Sequence, residues 1–95
     1  MMTILRIEHA VPDYGAWKAA FDGDPVGRRR SGVRRYRVSR AIDDPNYVTI
    51  DLEFDTPGQA EALLAAMRAV WDRVAGRIVT NPQARIVEAV ETKEL

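Results

Sequence analysis

The chain has 95 residues, of which 46% are hydrophobic and 29% charged, and its fourteen basic and fourteen acidic side chains cancel. This length predicts one domain spanning residues 1–95. No apolar run approaches the ~20 residues that cross a bilayer, and the alternating N-terminal segment leaves no room for a signal peptide, so we expect no membrane partner. The absence of cysteine excludes thiolate chemistry and favours a reducing cytoplasm.

The basic residues are unevenly distributed along the chain. Seven of the twelve arginines lie between Arg28 and Arg40. Such a cluster can bind a nucleic acid or an anionic ligand. The zero net charge and the acidic residues on the following segment favour pairing within the protein instead, so we expect no nucleic-acid partner.

The first part of the chain predicts a strand, a helix and a second strand. Thr3 to Val11 alternates apolar and polar residues, which is typical of a strand. Asp13 is a suitable N-cap for a helix that Asp22 to Pro25 stops. Gly32 then leads into a strand from Val33 to Arg40. The helix carries four apolar residues at helical spacing, Tyr14, Trp17, Ala20 and Phe21.

The segment from Tyr47 to Phe54 gives the clearest strand signal. Its residues alternate strictly between apolar and polar, so one face of the strand is apolar and the other acidic. Turn residues Asp43 to Asn46 join it to the preceding strand as a hairpin. The register that pairs opposite charges best is the one with Arg37 facing Asp51 and Arg35 facing Glu53.

The remaining segment predicts a long helix and a last strand. Thr56 to Gln59 forms a capping box with proline at the first helical position, and Gly76 ends the helix. After a turn at Asn81 and Pro82, Ala84 to Glu91 supplies a strand with weaker alternation. The helix has one apolar stripe, Ala60, Leu63, Leu64, Met67, Val70, Trp71 and Val74.

The order βαββαβ in one domain predicts an α+β, ferredoxin-like fold. It consists of a four-stranded antiparallel sheet with both helices on one face and with the first and third strands in the centre. The other face of the sheet is left open, and it needs water or a second sheet to cover it. We expect this open face to form a dimer interface through Arg6, Glu8, Arg35, Arg37, Thr49, Asp51 and Glu53.

Several short motifs resemble those of one family across nearly the whole chain. They are His9 closing the first strand, the helix-one residues from Asp13 to Asp22, Gly32 with Val33, the turn from Asp44 to Asn46, and Glu53 with Phe54. With this element order, the chain resembles the dimeric α/β-barrel superfamily and its antibiotic-biosynthesis-monooxygenase-like domains. The resemblance implies a homodimer in which two sheets pack face to face, and a small-molecule cavity between the sheet and the helices of each subunit.

The resemblance also implies two kinds of chemistry. Cofactor-free monooxygenases of the superfamily hold an asparagine, a tryptophan and a tyrosine around an oxidisable phenol, and haem-degrading relatives add a helical histidine. Here Asn46 and Asn81 fall in predicted turns, and neither predicted helix carries a histidine. The chain therefore departs from both patterns: haem degradation is not expected, and the asparagine of the cofactor-free enzymes has no counterpart on a predicted helix or strand. We expect no bound cofactor.

The only histidine, His9, is in phase with the apolar residues of the first strand. A neutral imidazole on that side can act as a general base in a cavity, or it can be a core histidine bonded to the backbone. The large aromatic residues can form the walls of that cavity and bind a planar substrate, or they can simply form the core. These candidate substrate-binding residues are Trp17, Phe21, Tyr36, Phe54 and Trp71.

Other site chemistries are poorly supported by the residues present. One histidine and no cysteine cannot form the usual metal-ligand sets, so we expect no metal. The sequence lacks a glycine-rich phosphate loop and a nucleophile elbow. Two interpretations therefore stay open. The protein is either a monooxygenase-like or cyclase-like enzyme that acts on a small hydrophobic or aromatic metabolite, or a noncatalytic dimeric domain that binds a ligand or has a structural role.

Overall fold

The computed structural model describes residues 2–74 and 77–95 of the chain. The order of elements is βαββαβ, which confirms the predicted fold class. The elements are β1 (Thr3–Ala10), α1 (Tyr14–Asp22), β2 (Arg35–Arg40), β3 (Tyr47–Phe54), α2 (Pro57–Val74) and β4 (Thr80–Glu88).

The four strands form one antiparallel sheet in the order β2-β3-β1-β4, so β1 and β3 are central as predicted. The apolar face of these two strands is fully buried, because Leu5, Ile7, Val48 and Ile50 are each at most 2% exposed. Both helices pack on this face, where they contribute buried residues such as Trp17, Phe21, Leu63 and Trp71 to the same core.

The hairpin of β2 and β3 has the predicted register, with Arg35 facing Glu53 and Arg37 facing Asp51. Arg35 binds Glu53, with 2.6 Å between Nε and Oε2. The expected ion pair between Arg37 and Asp51 does not form. The Asp51 carboxylate instead accepts two hydrogen bonds from Arg6, at 2.8 and 3.2 Å, because Arg6 faces Asp51 from the other neighbouring strand.

The cap of α1 forms as its sequence predicts. The Asp13 carboxylate accepts a hydrogen bond from the backbone N–H of Ala16 at 2.8 Å. The helix ends at Asp22, and the N–H of Gly23 still donates to the carbonyl of Ala19.

Replacing Asp13 with alanine should lower the free energy of unfolding by about 1 kcal/mol, because the first turn loses an N-cap acceptor. Urea denaturation measures this change. Asp43→Ala is the matched control: Asp43 lies in the exposed hairpin turn and makes no side-chain hydrogen bond to a described residue, so we expect a change below ~0.5 kcal/mol. Equal losses for the two variants would contradict the capping role.

The capping box at the start of α2 is also confirmed. Thr56 Oγ1 accepts from the N–H of Gln59, and Gln59 Oε1 accepts from the N–H of Thr56, both at 3.3 Å. The predicted helix end at Gly76 lies outside the described residues.

The last strand differs from the prediction. It runs from Thr80 to Glu88 instead of Ala84 to Glu91, so Asn81 and Pro82 are strand residues and not a turn. An edge strand tolerates proline, because it needs no hydrogen bond on its outer side. The register of β4 against β1 shifts by one residue between Glu8 and Ala10. Asn81, with φ of 50°, adopts the left-handed conformation at this bulge. The other strands match within two residues, since β1 ends at Ala10 and β2 begins at Arg35.

The open face of the sheet carries every residue predicted for the dimer interface, because these residues alternate with the buried core residues along each strand and so point to the opposite face. Arg85 of β4 adds a further charge beside Arg6. Ile4 and Val87, which face each other and are half-buried, add an apolar area that the sequence analysis did not identify. None of the helices in the described ranges is long and apolar enough to cross a membrane.

Candidate functional site

A cavity lies between the sheet and the two helices. The centre of a water-sized molecule can move through about 80 Å³ of it, several times the space that one water needs. Four of the predicted site residues line it, namely His9, Trp17, Phe21 and Trp71. Apart from His9, the tryptophans and Arg28, the lining residues are apolar. Such a site favours a hydrophobic ligand held by few polar contacts.

Three rings form one wall of the cavity. Trp17 and Phe21 are four residues apart on α1, which places them on the same face of the helix. Their rings stack with centroids 5.1 Å apart and planes 28° apart. His9 meets Trp17 edge-on, with 5.8 Å between ring centroids. A planar ligand in this cavity would therefore lie beside two aromatic rings, with an imidazole at one end.

His9 is 2% exposed, and its Nδ1 lies 3.2 Å from the carbonyl oxygen of Ala10. A carbonyl only accepts hydrogen bonds, so in the neutral ring we assign the proton to Nδ1 and leave Nε2 as an acceptor. Nε2 makes no hydrogen bond to a described residue, and His9 lines the cavity. Burial lowers the pKa of His9, and the contact with Ala10 opposes this only in part. The ring of His9 is therefore neutral near neutral pH, and its Nε2 is a hydrogen-bond acceptor.

The lowered pKa of His9 predicts that acid destabilises the fold. The unfolded chain binds a proton at His9 more readily than the folded one, so this stability is present above the unfolded pKa of about 6.5 and is lost as pH falls. Denaturation of the unsubstituted protein and of His9→Gln over a pH series isolates this contribution. As pH falls below ~6.5, we expect the unfolding free energy of the unsubstituted protein to decrease more than that of His9→Gln. A smaller decrease for the unsubstituted protein than for His9→Gln would show that the folded imidazole is cationic.

The β4 bulge lies directly opposite His9. Glu8 and Ala10 each pair with one residue of β4. Between these pairs, two residues of β4, Asn81 and Pro82, lie opposite the single residue His9. Bulges redirect side chains and are frequent beside functional sites. Neither Asn81 nor Asn46 lines the cavity, so no asparagine lies beside His9 in it.

Two of the predicted aromatic residues lie away from the cavity lining. Phe54 is completely buried in the core at the end of β3. Tyr36 lies on the edge strand β2 and is 44% exposed, with its ring 5.2 Å from that of Phe21. Their roles in binding stay predictions, and the geometry favours the other three aromatic residues.

Arg28 is a lining residue that the sequence analysis did not single out from the arginine cluster. Its side chain is only 14% exposed, and its guanidinium carbon lies 4.0 Å from the centroid of Phe21 and 4.9 Å from that of Tyr36. The signal that could have found it is its position just after the Asp24–Pro25 turn, which folds the chain back onto α1. By contrast, the described residues contain no group of three or more potential metal-binding side chains.

Solved structures resemble this chain over nearly its full length. SnoaB, a cofactor-independent oxygenase from Streptomyces nogalater, superposes with a TM-score of 0.74 at 16% identity, covering 96% of this chain and 95% of that one. Candidate antibiotic biosynthesis monooxygenases from Bordetella bronchiseptica and Nitrosomonas europaea give TM-scores of 0.73 and 0.72, each at 17% identity. The Bordetella match covers 95% of this chain and 98% of that protein. The Nitrosomonas match covers 94% of this chain and 90% of that protein.

The chain has the fold of the antibiotic-biosynthesis-monooxygenase-like proteins. This confirms the resemblance that the sequence motifs indicated. No protein-family model and no curated protein sequence matches the chain. Since every one of these identities is below 20%, the likeness establishes the fold and not the reaction.

Proposed function

We propose that the protein is a homodimer that binds a small hydrophobic, aromatic metabolite in the cavity between sheet and helices and oxidises it without a bound cofactor. The observation that carries this proposal is the neutral ring of His9 at the end of the wall formed by Trp17 and Phe21, with an Nε2 that accepts no hydrogen bond from a described residue. The fold shared with SnoaB, a cofactor-independent oxygenase, supports the same reaction class. With no cysteine in the chain, a reducing cytoplasm is the compartment we propose.

The proposed reaction uses His9 as a general base. Nε2 takes a proton from an activated carbon or a phenol of the bound ring, and the resulting anion reduces dioxygen directly. Conversion of a methylene group and dioxygen into a carbonyl group and water balances in atoms and electrons. The substrate itself supplies the electrons, so no external reductant is required. The apolar walls keep water away from the anion.

The proposed dimer buries the open face of the sheet against a second copy. A domain of this length buries a modest fraction of its surface alone, and a second sheet would cover the area around Ile4 and Val87. Burying the charges of this face requires that they be paired, and two of its carboxylates, Asp51 and Glu53, already accept hydrogen bonds from Arg6 and Arg35.

A second candidate function is ligand binding without turnover. It is favoured by one observation, namely that His9 and Arg28 are the only charged or titratable side chains among the described residues that line the cavity. A site with so few polar groups can hold a ring without activating it.

Two assays separate these functions. Binding of 1-naphthol, followed by tryptophan fluorescence and by the rise in melting temperature, tests the cavity. Dioxygen uptake with 2-tetralone, whose methylene lies between a ring and a carbonyl, tests the reaction. Binding together with dioxygen uptake above the uncatalysed rate supports the enzyme, and binding alone supports the noncatalytic alternative. Absence of both would contradict the proposal.

A further inference from the structure

We propose that Arg28 makes the cavity selective for aromatic carboxylates. This inference rests on the proposed function only in taking the cavity to be a binding site for rings. It names the chemical class of ligand that the site prefers and the residue that selects it.

The charges around the cavity are the first observation. Among its described lining residues there is one permanent cation, Arg28, and no acidic side chain. An ion at an apolar, largely desolvated site is costly unless an opposite charge pairs with it. Asp24 forms an ion pair with the Arg28 Nε from outside the cavity lining, at 3.6 Å, and a ligand that brings an anionic group into the cavity would pair with the same guanidinium from inside.

The contacts of Arg28 are the second observation. One Nη1 N–H donates to the carbonyl of Phe21 at 2.7 Å. The Nε atom forms an ion pair with Asp24, 3.6 Å from its Oδ1, but this distance is too long for a good hydrogen bond, and Asp24 does not line the cavity. A guanidinium has five N–H donors, so four of those on Arg28 make no hydrogen bond to a described residue. Enough donors remain to bind both oxygens of a carboxylate.

The position of the guanidinium is fixed before any ligand arrives. Its central carbon is held over Phe21 and Tyr36 by cation–π contacts. The backbone N–H of Arg28 donates to Oδ1 of Asp24 at 2.8 Å. Asp24 itself has a φ of 53°, which forms the turn that brings Arg28 back against α1. A preorganised donor loses little entropy on binding, which favours affinity.

The arrangement also defines an orientation for the ligand. His9 contacts Trp17, Trp17 stacks on Phe21, and Arg28 covers Phe21, so the imidazole and the guanidinium mark opposite ends of one aromatic wall. A ring lying along this wall would place a carboxylate at Arg28 and its reacting atom at His9. Carboxylic acids are ionised at pH 7 whereas simple phenols are neutral, so a carboxylate is the anion that Arg28 would select.

The test compares 2-naphthoate with 2-naphthamide, which have nearly the same shape but differ in charge. On the unsubstituted protein at neutral pH we expect the dissociation constant of the naphthoate to be at least about tenfold lower. Arg28→Gln should reduce this preference to below ~3-fold, and Arg28→Lys should retain part of it as a point charge. Arg29→Gln, at an exposed neighbouring position, is the matched control and should leave the preference unchanged.

The outcomes separate this inference from the proposed function. Equal affinity of the unsubstituted protein for the two ligands would overturn the role of Arg28 and leave ring binding intact, and this comparison requires no variant to fold. A preference that survives in a folded Arg28→Gln protein would overturn it as well. Binding of neither ligand, nor of 1-naphthol, would overturn the proposed function together with this inference.

Discussion

Replacing His9 with glutamine should lower the rate of dioxygen uptake with 2-tetralone by about 10²–10⁴-fold, the usual contribution of a general base. Glutamine keeps a polar group of similar size, but its amide cannot accept a proton at neutral pH. Binding of 1-naphthol should change by less than about threefold, since Trp17 and Phe21 still form the wall.

Thr3→Val is the control for the substitution at His9. Thr3 is also a buried polar residue of β1, at 1% exposure, but it does not line the cavity. Its replacement should leave the rate of dioxygen uptake unchanged. A His9→Gln protein that is folded and retains the full rate would show that the imidazole is not the base, and His9 would then be a core histidine bonded to the backbone.

Replacing Arg6 with alanine should lower the free energy of unfolding by about 3–5 kcal/mol if the open face is buried in a dimer, because the Asp51 carboxylate would remain buried without its cation. In an isolated subunit the Arg6 side chain is 52% exposed and that of Asp51 is 26% exposed. The pair would then be solvated, and its loss would cost about 1 kcal/mol or less. The size of the effect therefore reports whether a second sheet covers this face.

Chemical denaturation of Arg6→Ala and of the unsubstituted protein at several equal subunit concentrations measures this effect. Arg29→Ala, in an exposed loop away from the sheet, is the control and should cost less than ~0.5 kcal/mol. Stability that rises with protein concentration would accompany the larger loss, because association stabilises the folded state. A loss below ~1 kcal/mol with no dependence on concentration would contradict the proposed dimer.

The parts of the fold that local rules determine were predictable from the sequence. The alternation from Tyr47 to Phe54 assigned each side chain to a face, and the requirement that facing residues share a side left a few possible registers. Pairing of arginines with carboxylates then selected the one that the structure confirms. The Asp13 cap and the box at Thr56 and Gln59 depend on residues only three positions apart, so they too could be read from the chain.

The features that the sequence did not predict depend on contacts between distant segments. Asp51 has an arginine on either side, and only the packing of three strands decides that Arg6 binds it. The bulge at Asn81 exists because β4 has to pair with β1, although its own alternation is weak and includes Pro82.

The candidate site shows the same division. His9, Trp17, Phe21 and Trp71 were identified by residue type and phase, and the structure brings them to one cavity. The space between them, however, is a property of how the helices rest on the sheet, which no local pattern encodes. Arg28 could not be distinguished from the neighbouring arginines by sequence, because its burial depends on the turn at Asp24, where the backbone adopts a left-handed conformation.

The most direct test of ring binding in the cavity is to map backbone amide chemical shifts during a titration with 1-naphthol. We expect saturable changes that are largest on the residues lining the cavity, including Ile7 of β1, Phe21 of α1 and Trp71 of α2. Changes confined to the open face around Arg6 and Asp51, or no change up to the solubility limit of 1-naphthol, would contradict ring binding in the cavity.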